Sequence, residues 1–185
     1  MTIQGLALEL LEALRPGCER IEVAGSIRRG KKEPKDIELV VIAKYRDGYR
    51  TTLFADAAPR VSCLDDALDD LFELSGNWQF DITLKRNGPK YKRLRHRDTG
   101  VACDMFIVEP LAFGAQFVLR TGPAEFSHML VTRALRLGMQ QEGGQLWRVH
   151  RDDTKTVIPT PEERDYFAAL GLPWIEPEQR GKATP

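Results

Sequence analysis

The chain has 185 residues, enough for one domain or two small ones with a buried core. Lys and Arg balance Asp and Glu at 27 against 27, so bulk charge offers no argument for a polyanionic partner. No apolar run reaches the roughly 20 residues of a membrane span, and no basic segment precedes an apolar one at the N-terminus, so neither a membrane-spanning helix nor an export signal is expected. Cys18, Cys63 and Cys103 are scattered without metal-ligand spacing and suit a reducing compartment. The expected location is therefore cytoplasmic.

Ile3, Leu6, Leu10 and Leu14, with Ala7 and Leu11, recur at helical spacing over 2–14, and Pro16-Gly17 end the helix. Residues 20–24 are short and partly β-branched, which predicts a strand. A turn over 25–30 and a polar loop lead to a second strand over 36–43, and 45–60 read as loop. Over 64–74, Leu64, Leu68, Leu71 and Phe72 fall on one side and Asp65, Asp66, Asp69, Asp70 and Glu73 on the other, the pattern of an amphipathic helix with an acidic solvent face. Trp78, Phe80, Ile82 and Leu84 alternate and predict a strand over 78–85. Asn87-Gly88 signals a hairpin turn whose register Pro89 leaves open, and 91–97 form the return strand. A buried strand over 101–108 holds one acid, Asp104.

After Pro110 the pattern becomes helical over 111–120, is interrupted at Thr121-Gly122-Pro123, and resumes over 124–137 up to Gly138. Short strands about Gly143-Gly144, a helix over 161–170 and a Pro-rich polar tail follow. The fold class is α/β of the α+β kind: a mixed sheet flanked by helices over 1–112, and a small α+β C-terminal subdomain over 113–185.

Charge is segregated locally although it balances overall. KRNGPKYKRLRHR, over 85–97, has seven Lys or Arg and no acid, whereas 56–73 carries six acids against Arg60. Such segregation lets one face hold a polyanion.

The chemistry concentrates in GSIRRGKKEPKDIELVV, over 25–41. Alternation on a strand projects Asp36 and Glu38 from one face while Ile37 and Leu39 enter the core. Two carboxylates about 7 Å apart can both ligate a hard cation, and Asp104, isolated among apolar neighbours in ACDMFIV, is the natural third donor. In the upstream turn Gly25 and Ser26 offer backbone N–H groups and a hydroxyl to phosphate oxygens, and Arg28 or Arg29 adds a planar cation. Taken singly, a D-x-E pair is a solvated strand edge, Asp104 an arginine partner and RRGKK an exposed loop. Their conjunction at short, ordered spacing describes a site for a metal–triphosphate.

G-S-x-R-R-G followed by an acidic pair on the next strand resembles the catalytic palm of the family X DNA polymerases, within the nucleotidyltransferase superfamily. LRTGPAEFSHMLVTRALRLGM, over 119–139, resembles the family's Thr-Gly turn and nucleotide-binding helix, and TPEERDYFAALGLPWIEPEQR, over 160–180, its C-terminal segment. The resemblance implies a nucleotidyltransferase palm with a C-terminal nucleotide-binding, thumb-like subdomain. It implies two Mg2+ or Mn2+ ions held by Asp36, Glu38 and Asp104, which are also the catalytic residues. It places the triphosphate on Gly25, Ser26 and Arg29, and the nucleotide against Leu119, Arg120, Thr121, Gly122 and Ser127. His128 stands nearby. Primer-template or gapped DNA would lie on Lys85, Arg86, Lys90, Lys92, Arg93, Arg95 and Arg97.

The implied activity is metal-dependent addition of dNTPs to a primer 3′-OH, filling short gaps in repair, by a monomer without a membrane partner. The alternative keeps the site and changes the acceptor, as a template-independent terminal, RNA or protein nucleotidyltransferase.

Several positions depart from the family pattern. Glu38 stands where Asp is usual. Only about 20 residues precede the motif, so the DNA-binding modules of larger relatives are expected to be absent and synthesis distributive. Leu119-Arg120 replaces an aromatic pair, which implies weakened discrimination against ribonucleotides. The resemblance implies a cis peptide immediately after this Gly, and at Gly122–Pro123 an X–Pro bond adopts it at a cost of under about 1 kcal/mol. His96 and His150 are expected to face solvent, and Trp147 and Trp174 to serve packing.

Overall fold

The computed structural model describes residues 1–48, 60–84 and 87–181. Helix α1 (Ile3–Leu14) starts where the Thr2 hydroxyl accepts the Gly5 N–H at 3.1 Å, and it buries Leu6, Ala7, Leu10 and Leu14. Strand β1 (Cys18–Val23), the single-turn helix α2 (Gly25–Arg28) and β2 (Ile37–Ala43) follow. A small ribbon of β3 (Tyr45–Asp47) and β4 (Arg60–Ser62) precedes α3 (Cys63–Ser75). Strands β5 (Trp78–Phe80), β6 (Asn87–Gly88), β7 (Tyr91–His96) and β8 (Ala102–Ile107) complete the first half. The second half holds α4 (Phe113–Thr121), α5 (Ala124–Arg136), β9 (Met139–Glu142), β10 (Gln145–Val149), β11 (Lys155–Ile158) and α6 (Glu163–Ala169).

The main sheet runs β1-β2-β8-β7-β5, with β6 beside β7; β2 and β8 are parallel and the other pairs antiparallel. This is the mixed sheet flanked by helices that the sequence predicts. Alternation sorts its two faces. Ile37, Leu39, Val41, Leu94, Cys103 and Met105 pack beneath α1 and α3. Val40, on the opposite face, meets Phe113 and Phe117 of α4. Ala115 and Val118 of the same helix belong to a separate core with Phe126, Leu130, Tyr166 and Phe167. Helix α4 is thus buried nearly all round, and each fully buried Phe contributes on the order of 2–3 kcal/mol. Among the described residues no helix is long and apolar enough to cross a membrane.

Four local expectations are corrected. The strand expected over 78–85 stops at Phe80, because the Asp81 carboxylate accepts the Thr83 N–H at 3.1 Å and its hydroxyl at 2.5 Å, folding the chain into a 3-10 turn over Ile82–Leu84. Asn87-Gly88 is not the hairpin turn but pairs with Lys92 and Tyr91; the turn falls at Pro89-Lys90, where proline ends the ladder for want of an N–H. Gly122–Pro123 is trans. Gly122 is extended (φ −67°, ψ 152°) and Pro123 caps α5 in the same region, so a trans linkage runs straight into the helix. His96 is buried with its ring 5.0 Å from that of Trp78, on the helix-covered face of β7; His150 is exposed, as expected. Trp174 packs beside Phe167 in the C-terminal core, and Trp147 lies half-buried on β10 with its indole N–H on the Glu142 carbonyl.

Candidate active site

Gly25 opens α2 directly after β1 with φ +64°, a conformation that favours glycine. A Cβ built there would lie 2.1 Å from Glu38 Oε2, so the carboxylate rests on the space a side chain would fill. The neighbouring Ser26 hydroxyl is occluded from solvent and has no hydrogen-bond partner among the described residues. An unpaired, occluded hydroxyl is costly, and an acceptor oxygen brought to the turn would relieve that cost.

Glu38 and Asp104 are register partners in the parallel β2–β8 ladder, on the face opposite the α1/α3 core. Asp36 sits one residue before β2 and is exposed. Burial pushes the Glu38 carboxyl up from 4.5 to about 7, and the charges of Asp36 and Asp104 push the same way, against the pull of Arg120 and Arg29. Asp104 is engaged. Arg93 Nη1 donates to both its oxygens, at 2.9 and 3.1 Å, and the Tyr91 hydroxyl donates to Oδ1. Arg93 is its register partner across β7–β8, and Arg93 Nε lies 3.3 Å from Asp81 Oδ2.

Three carboxylates suit Mg2+ or Mn2+ in donor type, and the mutual repulsion felt by Glu38 is what a dication would relieve. In their present placement, however, no three His, Cys, Asp or Glu side chains among the described residues are gathered to hold a metal ion.

The nucleotide-side candidates meet the same turn. Arg29 donates to the Thr121 carbonyl. Arg28 donates to Thr121 Oγ1 at 2.9 Å, grips Glu163 at 2.7 and 2.6 Å, and stacks 3.7 Å above the Phe117 ring. Glu163 also receives Arg180 Nη1 at 2.8 Å. Thr121 is fully buried, and a Cβ on Gly122 would meet Phe126 Cδ1 at 2.5 Å. Leu119 packs against the C-terminal core while its carbonyl accepts the Ser127 hydroxyl at 2.7 Å, so Ser127 ties α5 to α4. Arg120 stacks 3.8 Å over Phe106, on the sheet face that carries Glu38 and Asp104. His128 is exposed.

Three of the five described basic residues of the hairpin are paired with acids. Lys92 points to the helix-covered face, is 7% exposed, and pairs with Asp65 of α3 at 2.8 Å; its proposed place on a DNA-binding surface is corrected by the alternation of β7. Arg95 pairs with Asp81 at 2.9 Å, and Arg93 is divided between Asp81 and Asp104. Lys90 and Arg97 are exposed. Lys85 and Arg86 lie outside the described residues.

Sequence reasoning missed Asp81, Tyr91 and the Arg28–Glu163–Arg180 cluster. Asp81 carried no distinguishing signal, since it falls on the polar side of the alternation of Trp78, Phe80, Ile82 and Leu84. Glu163 carried none, since its partner Arg28 is 135 positions away.

The Gly25-Ser26 turn lies against register-paired carboxylates on a mixed sheet. A family model described as the DNA polymerase beta thumb matches residues 117–181, from within α4 to the C-terminal segment. DNA polymerase lambda of Rattus norvegicus is 26% identical over 182 residues, covering 91% of this chain and 30% of that protein. By sequence the chain is thus similar to a DNA polymerase over most of its own length, and it spans about a third of the length of the relative it matches.

Proposed function

We propose that the chain is a DNA-directed nucleotidyltransferase of the family X type, adding nucleotides to a primer 3′-OH and filling short gaps in repair. The observation that carries this reading is the Glu38–Asp104 register pair lying beside the Gly25-Ser26 turn. The turn's N–H groups and the unpaired Ser26 hydroxyl hold phosphate oxygens, and Arg29 adds a cation beside them. Thr121, locked by Arg28 and Arg29, fixes the helix pair α4–α5 over that turn, which orients the nucleotide. Two divalent ions on Asp36, Glu38 and Asp104 would supply the charge that stabilises in-line phosphoryl transfer. The DNA polymerase named by the similar sequence supports DNA and dNTPs as substrates. The division at 112/113 into a catalytic palm and a nucleotide-binding subdomain, the monomeric state and weak sugar selection belong to the same proposal.

A second reading, untemplated or RNA or protein nucleotidyl transfer, is favoured by one observation: Lys92, Arg93 and Arg95 are engaged by acids, which leaves the hairpin less charge for DNA. Incubation with Mg2+ or Mn2+, labelled dNTPs, and gapped, single-stranded and template-free primers separates the two. Template-directed extension on the gap is expected. Tailing without template moves the assignment to the second reading, and no labelling of any acceptor overturns both.

A further inference from the structure

Asp104 sits in an ion-pair chain that the proposed reaction does not itself require. Arg93 reaches two carboxylates from one guanidinium: Nη1 lies 2.9 Å from Asp104 Oδ1, and Nε lies 3.3 Å from Asp81 Oδ2. The two ends are not equally well made. The Asp104 end is hydrogen-bonded, whereas the buried Nε makes no hydrogen bond among the described residues despite its distance from Asp81. Asp81 is a prepared acceptor. Its side chain is 1% exposed and fixed by the Thr83 N–H and hydroxyl and by Arg95 Nη2 at 2.9 Å, and its backbone N–H donates to the Arg93 carbonyl at 2.8 Å. A small rotation of the guanidinium toward Asp81 would complete the missing Nε bond and release Asp104.

We propose that Arg93 is a latch on Asp104, with Asp81 as its second seat. It holds Asp104 outside the ligand set, consistent with the absence of any gathered group of three donors among the described residues, and it shifts to Asp81 when a divalent ion takes Asp104. This rests on Asp104 being a metal-binding carboxylate of the proposed site. Arg93 and Asp81 are positioning residues in this scheme, since each acts through Asp104. A guanidinium is suited to it, because its fork spans two carboxylates that an ammonium would contact one at a time.

The test uses Mn2+ alone, without nucleotide or DNA, titrated into the full chain and followed by the loss of the free-ion paramagnetic resonance signal. Arg93→Lys keeps the charge and removes the fork, so Mn2+ should bind about 5-fold tighter than to the wild type. Asp81→Asn removes the second seat and should weaken binding about 5-fold, but by less than about 2-fold when Arg93→Lys is already present. An affinity unchanged in Arg93→Lys overturns the latch. So does an Asp81→Asn effect of equal size in both backgrounds, which is the signature of a long-range field.

Thermal unfolding checks that each variant folds. If Asp81→Asn does not fold, Arg95→Gln replaces it: relieving Asp81 of its other cation should draw Arg93 away and tighten Mn2+ binding about 3-fold, and no change overturns the proposal. Wild-type protein that shows these Mn2+ effects but extends no primer retains the latch and loses the polymerase reading. Primer extension with Mn2+ affinities indifferent to Arg93 and Asp81 does the reverse.

Discussion

Glu163→Gln removes the charge at the centre of the cluster that ties the phosphate turn to the C-terminal helix. Arg180 has no exposed side-chain surface, Glu163 keeps 8% and Arg28 21%. Removing one partner of a buried ion pair costs about 3–5 kcal/mol, chiefly because the other charge is left buried and unpaired. Glutamine retains one acceptor oxygen and Arg28 retains some solvent, so the lower figure, about 3 kcal/mol, applies. For a chain of this size that lowers Tm by roughly 6–12 °C.

The pH dependence has a definite sign. Burial alone would raise the Glu163 pKa, but hydrogen bonds from Arg28 and Arg180 outweigh it and hold the pKa below the ordinary 4.5. A carboxylate depressed in the folded state stabilises above its unfolded pKa and loses that contribution as pH falls through the folded value. Wild type and variant should therefore differ fully at pH ~7 and by less at pH ~3, read by circular dichroism melts. A Tm loss below about 3 °C at neutral pH, or an equal loss at both pH values, would refute the reasoning.

Glu38 runs the opposite way: its pKa is raised to about 7, so the wild type is penalised progressively as pH rises from about 4.5 through 7. Glu38→Gln should be more stable than wild type by about 3 kcal/mol at pH ~8.5 and equal to it below pH ~4.5, in urea unfolding without divalent ions. Gly25→Ala meets both a left-handed backbone and Glu38 Oε2; primer extension should fall about 100-fold, and a loss under about 3-fold would show that the carboxylate needs no such cradle. Lys90→Ala and Arg97→Ala should each weaken DNA binding and reduce the salt slope by roughly one unit, while Lys92→Ala lowers Tm and leaves the slope alone. With Leu119-Arg120 before the Thr-Gly turn, steady-state kinetics should give a dNTP/rNTP preference below about 10³-fold, a gap of about 4 kcal/mol.

Much of this architecture was legible residue by residue. The acidic stripe of α3 could be read because helical spacing separates Leu64, Leu68 and Leu71 from Asp65, Asp66 and Asp69. The mixed character of the sheet and the position of Asp104 on a buried strand followed from short β-branched runs. Its adjacency to Glu38 depended on strand order, which no local pattern encodes. The basic run misled by being treated as a single surface: on β7 its members alternate, so Lys92 and His96 go under α3 while Arg93 and Arg95 face the site. The Arg28–Glu163 contact was invisible for a different reason, since it joins positions brought together only by the finished fold.

Helix α4 carries one further consequence. Phe113 and Phe117 belong to the palm side and Ala115 and Val118 to the C-terminal core, and the matched thumb segment begins at residue 117, in the middle of that helix. The two halves therefore share an axle rather than a hinge. A cut at 112/113 would hand the whole helix to the C-terminal fragment, with two phenylalanines facing water, and would leave Val40 and Ala24 uncovered on the other. Fragments made there should be recovered only when co-expressed, each serving as the other's missing wall.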